Sequence, residues 1–132
     1  MKLYINFANR ITKTMNERKF SIVLTEEARV FLKSLPQKVQ DKIAYNIRRV
    51  SGGEINNALF KKLENADGIW EFRTLYQTIA YRLFAFWDTE QDTLVIATHG
   101  IIKKTQKTPA KEIRKAEEIK HKYFEIKHRR NK

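Results

Sequence analysis

Three strand-like segments follow one another in the middle of the 132-residue sequence, and they constrain the fold more than any other feature. The first, IWEFRTL, alternates in polarity, so that Glu71 and Arg73 lie on one strand face and Trp70 and Phe72 on the other. The next two, TIAYRLFAFWD and TLVIATHGII, are largely apolar and are separated by TEQD, which is typical of a hairpin turn. These segments predict a three-stranded antiparallel meander, joined at its edge by the strand FSIVL that begins at Phe20.

Helical periodicity occurs on both sides of these strands. Thr25 is placed to cap a helix over EEARVFLKSL, and Pro36 is placed to begin a second helix that ends at SGG. After Pro109, apolar residues recur every three or four positions, which indicates an amphipathic helix with a basic outer face. We therefore predict an α+β fold in which an N-terminal helical hairpin packs on a small antiparallel β-sheet, with a basic C-terminal helix.

Length and composition indicate one domain over residues 1–132, of which residues 1–19 lack sustained periodicity and form an N-terminal extension of unassigned structure. Without cysteine there is no disulfide, thiol nucleophile or cysteine-ligated zinc, and the three histidines lack a metal-ligand spacing. No segment reaches the roughly 18 to 20 apolar residues that span a bilayer, and no signal peptide precedes the strands. We therefore expect a cytoplasmic protein with no metal, no cofactor and no membrane partner.

The chain is strongly basic, with 27 Lys+Arg against 15 Asp+Glu, a net charge of +12 and a pI near 10.0. Two-thirds of this net charge lies between Lys103 and the last residue. The ordinary explanation is a solvated basic helix, and for any single lysine it is the better one. The cluster as a whole favours a polyanion as partner.

Glu71 and Arg73 project from the same strand face, roughly 6 to 7 Å apart. That spacing alone favours an ordinary surface ion pair. Neighbouring segments, however, carry cations that could converge on the same face, namely Lys61, Lys62, Arg82, Lys103 and Lys104. Fixed cations bind a phosphodiester and stabilise the additional negative charge of its pentavalent transition state. The sequence therefore predicts a phosphate-binding surface on the sheet.

No protein nucleophile stands out, because the chain has no glycine-rich phosphate loop, no recognisable Ser-His-Asp arrangement and no carboxylate cluster for paired magnesium ions. RNA supplies its own nucleophile, the 2′-hydroxyl, so a cationic site could cleave it without a metal ion. His99 is either a general acid or base or a structural histidine beside Gly100. Trp70, Trp87, Phe84 and Phe86 could stack on bases, but at strand spacing we expect them in the core.

Three segments, LFKKLENADGIWEFR, AYRLFAFWD and HGIIKKTQKTPAKEIRKAEE, together resemble the phage-derived Gp49-like, HigB-type toxins of the RelE/ParE superfamily. The similarity runs from about Leu35 to Tyr123, and its most specific part is HGIIKKTQKTP followed by EIRKA. The resemblance implies the same helical-hairpin-on-sheet fold and cleavage of messenger RNA on the ribosome. It also implies a cognate antitoxin, commonly of the helix-turn-helix type, that holds the toxin inactive.

The resemblance also implies roles for individual residues. It gives Arg73 and Lys104 transition-state roles, Glu71 a base or orienting role, and His99 a less certain catalytic role. The RNA-binding residues that it implies are Arg82, Lys103 and Lys107. The cationic sheet face predicted above adds Lys61 and Lys62 to the expected RNA-binding residues.

Two classes of function stay open at this point. The first is a ribosome-dependent, metal-independent endoribonuclease that inhibits translation. The second is a non-catalytic toxin or binding module, since ParE-type relatives share the fold but act on DNA gyrase. The KKTQKTP segment and the cations around Arg73 favour the nuclease.

Overall fold

The structure, a computed structural model, describes residues 3–4, 20–54, 56–88, 90, 94–103 and 107–130. The helices are α1 (Glu26–Lys33), α2 (Gln37–Ser51) and α3 (Ala110–Arg130). The strands are β1 (Leu3–Tyr4), β2 (Ser21–Thr25), β3 (Phe60–Lys62), β4 (Trp70–Tyr76), β5 (Ile79–Asp88) and β6 (Leu94–Lys103). No helix within these ranges combines the length and the apolar character needed to cross a membrane.

The strands form one sheet in the order β1-β2-β6-β5-β4-β3. Its centre is the predicted antiparallel meander of β4, β5 and β6. The prediction of a wholly antiparallel sheet is wrong, because β2 pairs with β6 in parallel. A parallel pair needs a crossover connection, and the chain between β2 and β6 includes the α1–α2 hairpin, which provides one.

Two short strands were not predicted. The edge strand β3 pairs antiparallel with β4, where the sequence had suggested only a basic segment preceding the strand. Two of its three residues are lysines, so it lacks the apolar run that identifies a strand. In the N-terminal extension, β1 pairs antiparallel with β2, and the remainder of residues 1–19 lies outside the described residues.

Both faces of the sheet are covered by helices. The α1–α2 hairpin packs on one face, around a core that includes Ile22, Leu32, Ile47 and Phe72. On the other face, α3 packs through Ala116 and Tyr123 against a smaller apolar cluster. This second layer matters for function, because Glu71 lies on the face that α3 covers.

Local interactions position both helical layers. As predicted, Thr25 caps α1, where its hydroxyl accepts a hydrogen bond from the Ala28 backbone N–H at 3.2 Å. The same hydroxyl donates to the Thr98 carbonyl of β6, so one side chain connects the helix to the sheet. A Cβ added to Gly100 would lie only 2.2 Å from the Phe31 ring, so glycine at this position permits the close packing of α1 on β6. Pro36 occupies the N-cap of α2 rather than its first helical position.

The β4–β5 hairpin turns through Gln77 and Thr78, which both have positive φ values of 47° and 68°. A two-residue hairpin turn of this kind usually contains Asn or Gly. A β-branched threonine in this region is strained, so the paired strands on either side must hold the turn in place. The predicted TEQD turn between β5 and β6 lies almost wholly outside the described residues.

Candidate functional site

A buried carboxylate lies at the centre of the candidate site. Glu71 on β4 is 1% exposed, and its Oε1 atom lies 3.0 Å from Arg82 Nε on β5 and 3.5 Å from Arg73 Nε. Its other oxygen, Oε2, accepts a hydrogen bond of 2.8 Å from the Thr108 hydroxyl just before α3. The β4–β5 register places Arg73 directly opposite Arg82, which brings both guanidinium groups to the same carboxylate.

Two lysines complete this group. Lys61 lies opposite Glu71 in the β3–β4 pairing, and Lys103 lies on β6 beyond Arg82. Burial lowers the pKa of Lys103, and the charges of Arg82, Arg73 and Lys61 lower it further, whereas Glu71 opposes the shift. These charges are therefore close enough to interact. We call the set Lys61, Glu71, Arg73, Arg82 and Lys103 the Glu71 cluster.

Arg73 is the arginine of the cluster that solvent reaches. Its side chain is 25% exposed, compared with 10% for Arg82. Its Nη1 donates to the carbonyl of Asn57 at 3.2 Å, and its backbone N–H donates to the carbonyl of Leu59 at 2.7 Å. The guanidinium is thus held between Glu71 and the loop before β3 while part of it faces water, which suits the binding of an anion from solution.

Comparison with known proteins identifies the family of this chain. A family described as "Phage derived protein Gp49-like" matches residues 30–121, which is more than half of the chain. The chain belongs to this family. It is a toxin family, and the match confirms the Gp49-like part of the resemblance drawn from the sequence.

Further comparisons add little to this family assignment. A solved structure titled as the toxin–antitoxin complex RelBE2 from Mycobacterium tuberculosis is similar at 21% sequence identity and a TM-score of 0.44. The similarity covers 64% of this chain and 99% of that one. The search of curated proteins found no match.

The Gp49-like chain does not bring every predicted cation to this face. Lys62 is exposed opposite Trp70, so strand alternation places it on the sheet face that carries α1 and α2. Lys107 is exposed in the segment before α3. Lys104 lies outside the described residues, and its predicted role stays a prediction.

His99 lies inside the Gp49-like fold, only 3% exposed between β6 and α3. Its ring stacks on Phe84 with centroids 4.8 Å apart, its Nδ1 lies 3.0 Å from the Thr98 hydroxyl, and its Nε2 lies 3.4 Å from Glu112. Burial, and then the charge of Lys115, lower the pKa of His99, which keeps the ring neutral near pH 7. This placement favours the structural alternative over a catalytic one.

Sequence reasoning missed Thr108 and Asn57 as members of the site. Thr108 hydrogen-bonds Glu71, and Asn57 holds Arg73 through its backbone carbonyl. Thr108 stands directly before Pro109, so a helix-start signal identified its position but not its partner. A backbone carbonyl leaves no trace in sequence, so nothing could have indicated the contribution of Asn57.

The arrangement in this Gp49-like chain combines one buried carboxylate with four cations. The carboxylate orients the two guanidinium groups, and the surplus positive charge is available to an anion at the exposed edge formed by Lys61 and Arg73. Groups held in advance in this way stabilise developing negative charge without reorganising during a reaction. The site is therefore chemically suited to a phosphodiester.

Proposed function

We propose that this chain is the toxin of a type II toxin–antitoxin system and a ribosome-dependent, metal-independent endoribonuclease that cleaves messenger RNA and inhibits translation. The observation that carries the proposal is the Glu71 cluster, in which the partly exposed Arg73 lies among further cations beside a buried carboxylate. The family membership and the net charge of +12 support it. Since ribosomes and messenger RNA are its proposed partners, its proposed location is the cytoplasm.

In the proposed reaction, the 2′-hydroxyl of a ribose attacks the adjacent phosphorus and loses its proton to solvent water, and the bond from phosphorus to the 5′-oxygen breaks. The products are a 2′,3′-cyclic phosphate and a 5′-hydroxyl, and the substrate supplies the nucleophile. Arg73 and Lys61 bind the non-bridging phosphate oxygens, whose charge grows in the transition state. Lys103, whose pKa is lowered chiefly by burial, is the proposed donor of a proton to the leaving 5′-oxygen.

Glu71 acts in this proposal by orientation rather than as a base. One of its oxygens lies beside the two arginines and the other accepts the Thr108 hydroxyl, and the side chain is almost wholly shielded from solvent. Lys104 retains its proposed transition-state role from the family resemblance. A cognate antitoxin, of the helix-turn-helix type by the same resemblance, would hold the toxin inactive.

The test is a reconstituted translation reaction with one defined messenger RNA, in which new 5′ ends are mapped with and without ribosomes. The proposal predicts new ends inside the coding region that require ribosomes and carry a 5′-hydroxyl. A parallel DNA gyrase supercoiling assay tests the alternative function. Intact messenger RNA together with inhibited gyrase would assign the chain to the non-catalytic class.

A further inference from the structure

A cavity of about 550 Å³ opens at the β3 edge of the sheet, on the face opposite the Glu71 cluster. It lies between the C-terminal end of α2 and the start of β4. Its lining includes Phe20, Val50, Glu54, Asn57, Phe60 and Trp70. The proposed reaction uses none of their side chains.

The walls of this cavity are aromatic and its rim is polar. Phe60 is buried, with its ring stacked on Trp70 at a centroid distance of 4.7 Å and on Phe72 at 4.4 Å, so the half-buried Trp70 provides the accessible aromatic surface beside it. The exposed residue Asn57 also lines the cavity, while the carboxylate of Glu54 is paired with Arg49 at 2.6 Å. A half-buried aromatic ring beside a polar rim suits a nucleobase, which stacks through its faces and is read through hydrogen bonds at its edge.

Asn57 connects the cavity to the Glu71 cluster. Its backbone carbonyl accepts from Arg73 Nη1 at 3.2 Å, and the same residue lines the cavity. The edge strand β3 separates the two sites, with Lys61 on the cluster face and the exposed Lys62 on the cavity face opposite Trp70. An RNA strand that crosses this edge would therefore meet positive charge on both faces.

We propose that the cavity binds a nucleobase of the RNA strand whose neighbouring phosphate lies on the Glu71 cluster, and that the Asn57 amide contributes to base preference. This inference rests on the proposed function, because it assumes that RNA is the ligand of the cluster. An apolar or aromatic side chain of a protein partner is the competing occupant.

The experiment uses the full chain, labelled with ¹⁵N and made by cell-free synthesis. Its two tryptophans give two indole N–H signals, which Trp70→Phe and Trp87→Phe assign. The four nucleoside 5′-monophosphates should shift the Trp70 signal, whereas ribose 5-phosphate should leave it in place.

Asn57→Ala should weaken the binding of at least one nucleotide by about 5- to 10-fold, which is the loss expected for one or two hydrogen bonds. This substitution removes the side-chain amide and keeps the backbone carbonyl that holds Arg73. Gln37→Ala, which removes an exposed amide on α2, should change nothing.

Two results would overturn the inference. One is an equal Trp70 response to ribose 5-phosphate and to the nucleotides, or no response to any nucleotide at tens of millimolar. The other is a Trp70 shift with N-acetylphenylalanine amide but not with nucleotides, which would assign the cavity to a protein side chain. These outcomes do not depend on RNA cleavage. In the translation reaction, an active enzyme whose base preference beside the cut is the same in Asn57→Ala would also refute the inference while leaving the proposed function intact.

Discussion

Glu71 illustrates how one residue can organise a cationic surface without being accessible itself. Its two oxygens contact Arg73, Arg82 and Thr108, which come from β4, β5 and the segment before α3. Burying a carboxylate is unfavourable unless opposite charges and hydrogen bonds compensate it, and here both are present. The residue should therefore matter for stability at least as much as for catalysis.

Replacing Glu71 by glutamine tests this role. Glu71→Gln leaves the buried Arg82 without its counter-charge, so the free energy of unfolding should fall by about 3 to 5 kcal/mol. For a domain of this size, that corresponds to a lower melting temperature by on the order of 10 °C, measured by circular dichroism. Glu118→Gln, at an exposed position on α3, serves as the control and should unfold as the wild type does. An unchanged melting temperature with lost cleavage would instead indicate that Glu71 acts as a general base.

Lys103 gives a second prediction, on pH. Burial, with Arg82, Arg73 and Lys61, lowers its pKa in the folded protein, so its ¹⁵N-detected titration should have a midpoint below the ordinary value of about 10.4. Between the pKa of Lys103 in the folded protein and its higher pKa in the unfolded chain, the unfolded chain binds more protons. Lys103 therefore lowers the free energy of unfolding at pH values below this window, and the destabilisation is relieved as pH rises through it. Arg73→Ala removes one repelling charge and should raise the midpoint. A midpoint that is equal in both proteins would show that the two side chains are not coupled.

Near its C-terminal end, α3 is held on the sheet by hydrogen bonds to one buried carboxylate. We call the three residues Asp88, Tyr123 and Lys127 the clamp. The fully buried Asp88 of β5 accepts from the Tyr123 hydroxyl at 2.7 Å and from Lys127 Nζ at 2.6 Å. Burial acts to raise the pKa of Asp88, but the hydrogen bonds from Lys127 and Tyr123 outweigh it and the net shift is downward. The clamp therefore contributes stability above about pH 4, and that contribution is lost as pH falls through the lowered pKa.

Removing one hydroxyl from this clamp should loosen α3. Tyr123→Phe deletes a hydrogen bond to a buried carboxylate, which should cost about 1.5 to 3 kcal/mol and lower the melting temperature by several degrees. Hydrogen exchange should increase in the C-terminal half of α3 first. Tyr45→Phe is the matched control, since Tyr45 is exposed on α2 and its ring contacts with Lys42 and Arg49 survive the change. Equal exchange in the two variants would argue against the clamp.

The elements were largely predictable because each long segment has a clear period. The strands β4, β5 and β6 begin within one residue of the predicted segments, and α1 begins at its predicted cap. Alternation likewise placed Glu71 and Arg73 on one face. The short β3 was missed because three residues with two lysines carry no strand signal. Because β3 was not predicted, Lys61 and Lys62 were both expected on the cationic face, although strand alternation places them on opposite faces of the sheet.

The cross-strand geometry of the site was not predictable from periodicity. Arg73 meets Arg82 because the β4–β5 turn lies at Gln77 and Thr78, and neither residue belongs to the types that favour positive φ. The burial of His99 depends on where α3 packs, which is a tertiary contact. Local patterns determine which face a side chain takes, whereas turn geometry and helix packing determine what it meets there.

For the whole molecule, the excess of positive charge predicts salt-dependent binding. Single-stranded RNA that contacts about three of the exposed cations would release counterions on binding. A plot of the logarithm of the association constant against the logarithm of salt concentration should therefore have a slope of about −2 or steeper. Fluorescence anisotropy with a labelled oligoribonucleotide between 50 and 200 mM salt would measure this slope. A flat dependence would contradict the electrostatic account of RNA binding.

The most direct test of the central claim is the single-turnover cleavage rate of messenger RNA on ribosomes for Arg73→Ala, compared with Arg114→Ala on the exposed face of α3. Arg73→Ala should lower the rate by about 10² or more, because it removes a fixed donor from the charge that develops on the phosphate. It should lose only a few degrees of melting temperature, since Arg73 is partly exposed and its loss leaves Glu71 paired with Arg82. Arg114→Ala should cleave as the wild type does. A folded Arg73→Ala protein that cleaves at the wild-type rate would contradict the assignment of the Glu71 cluster as the active site.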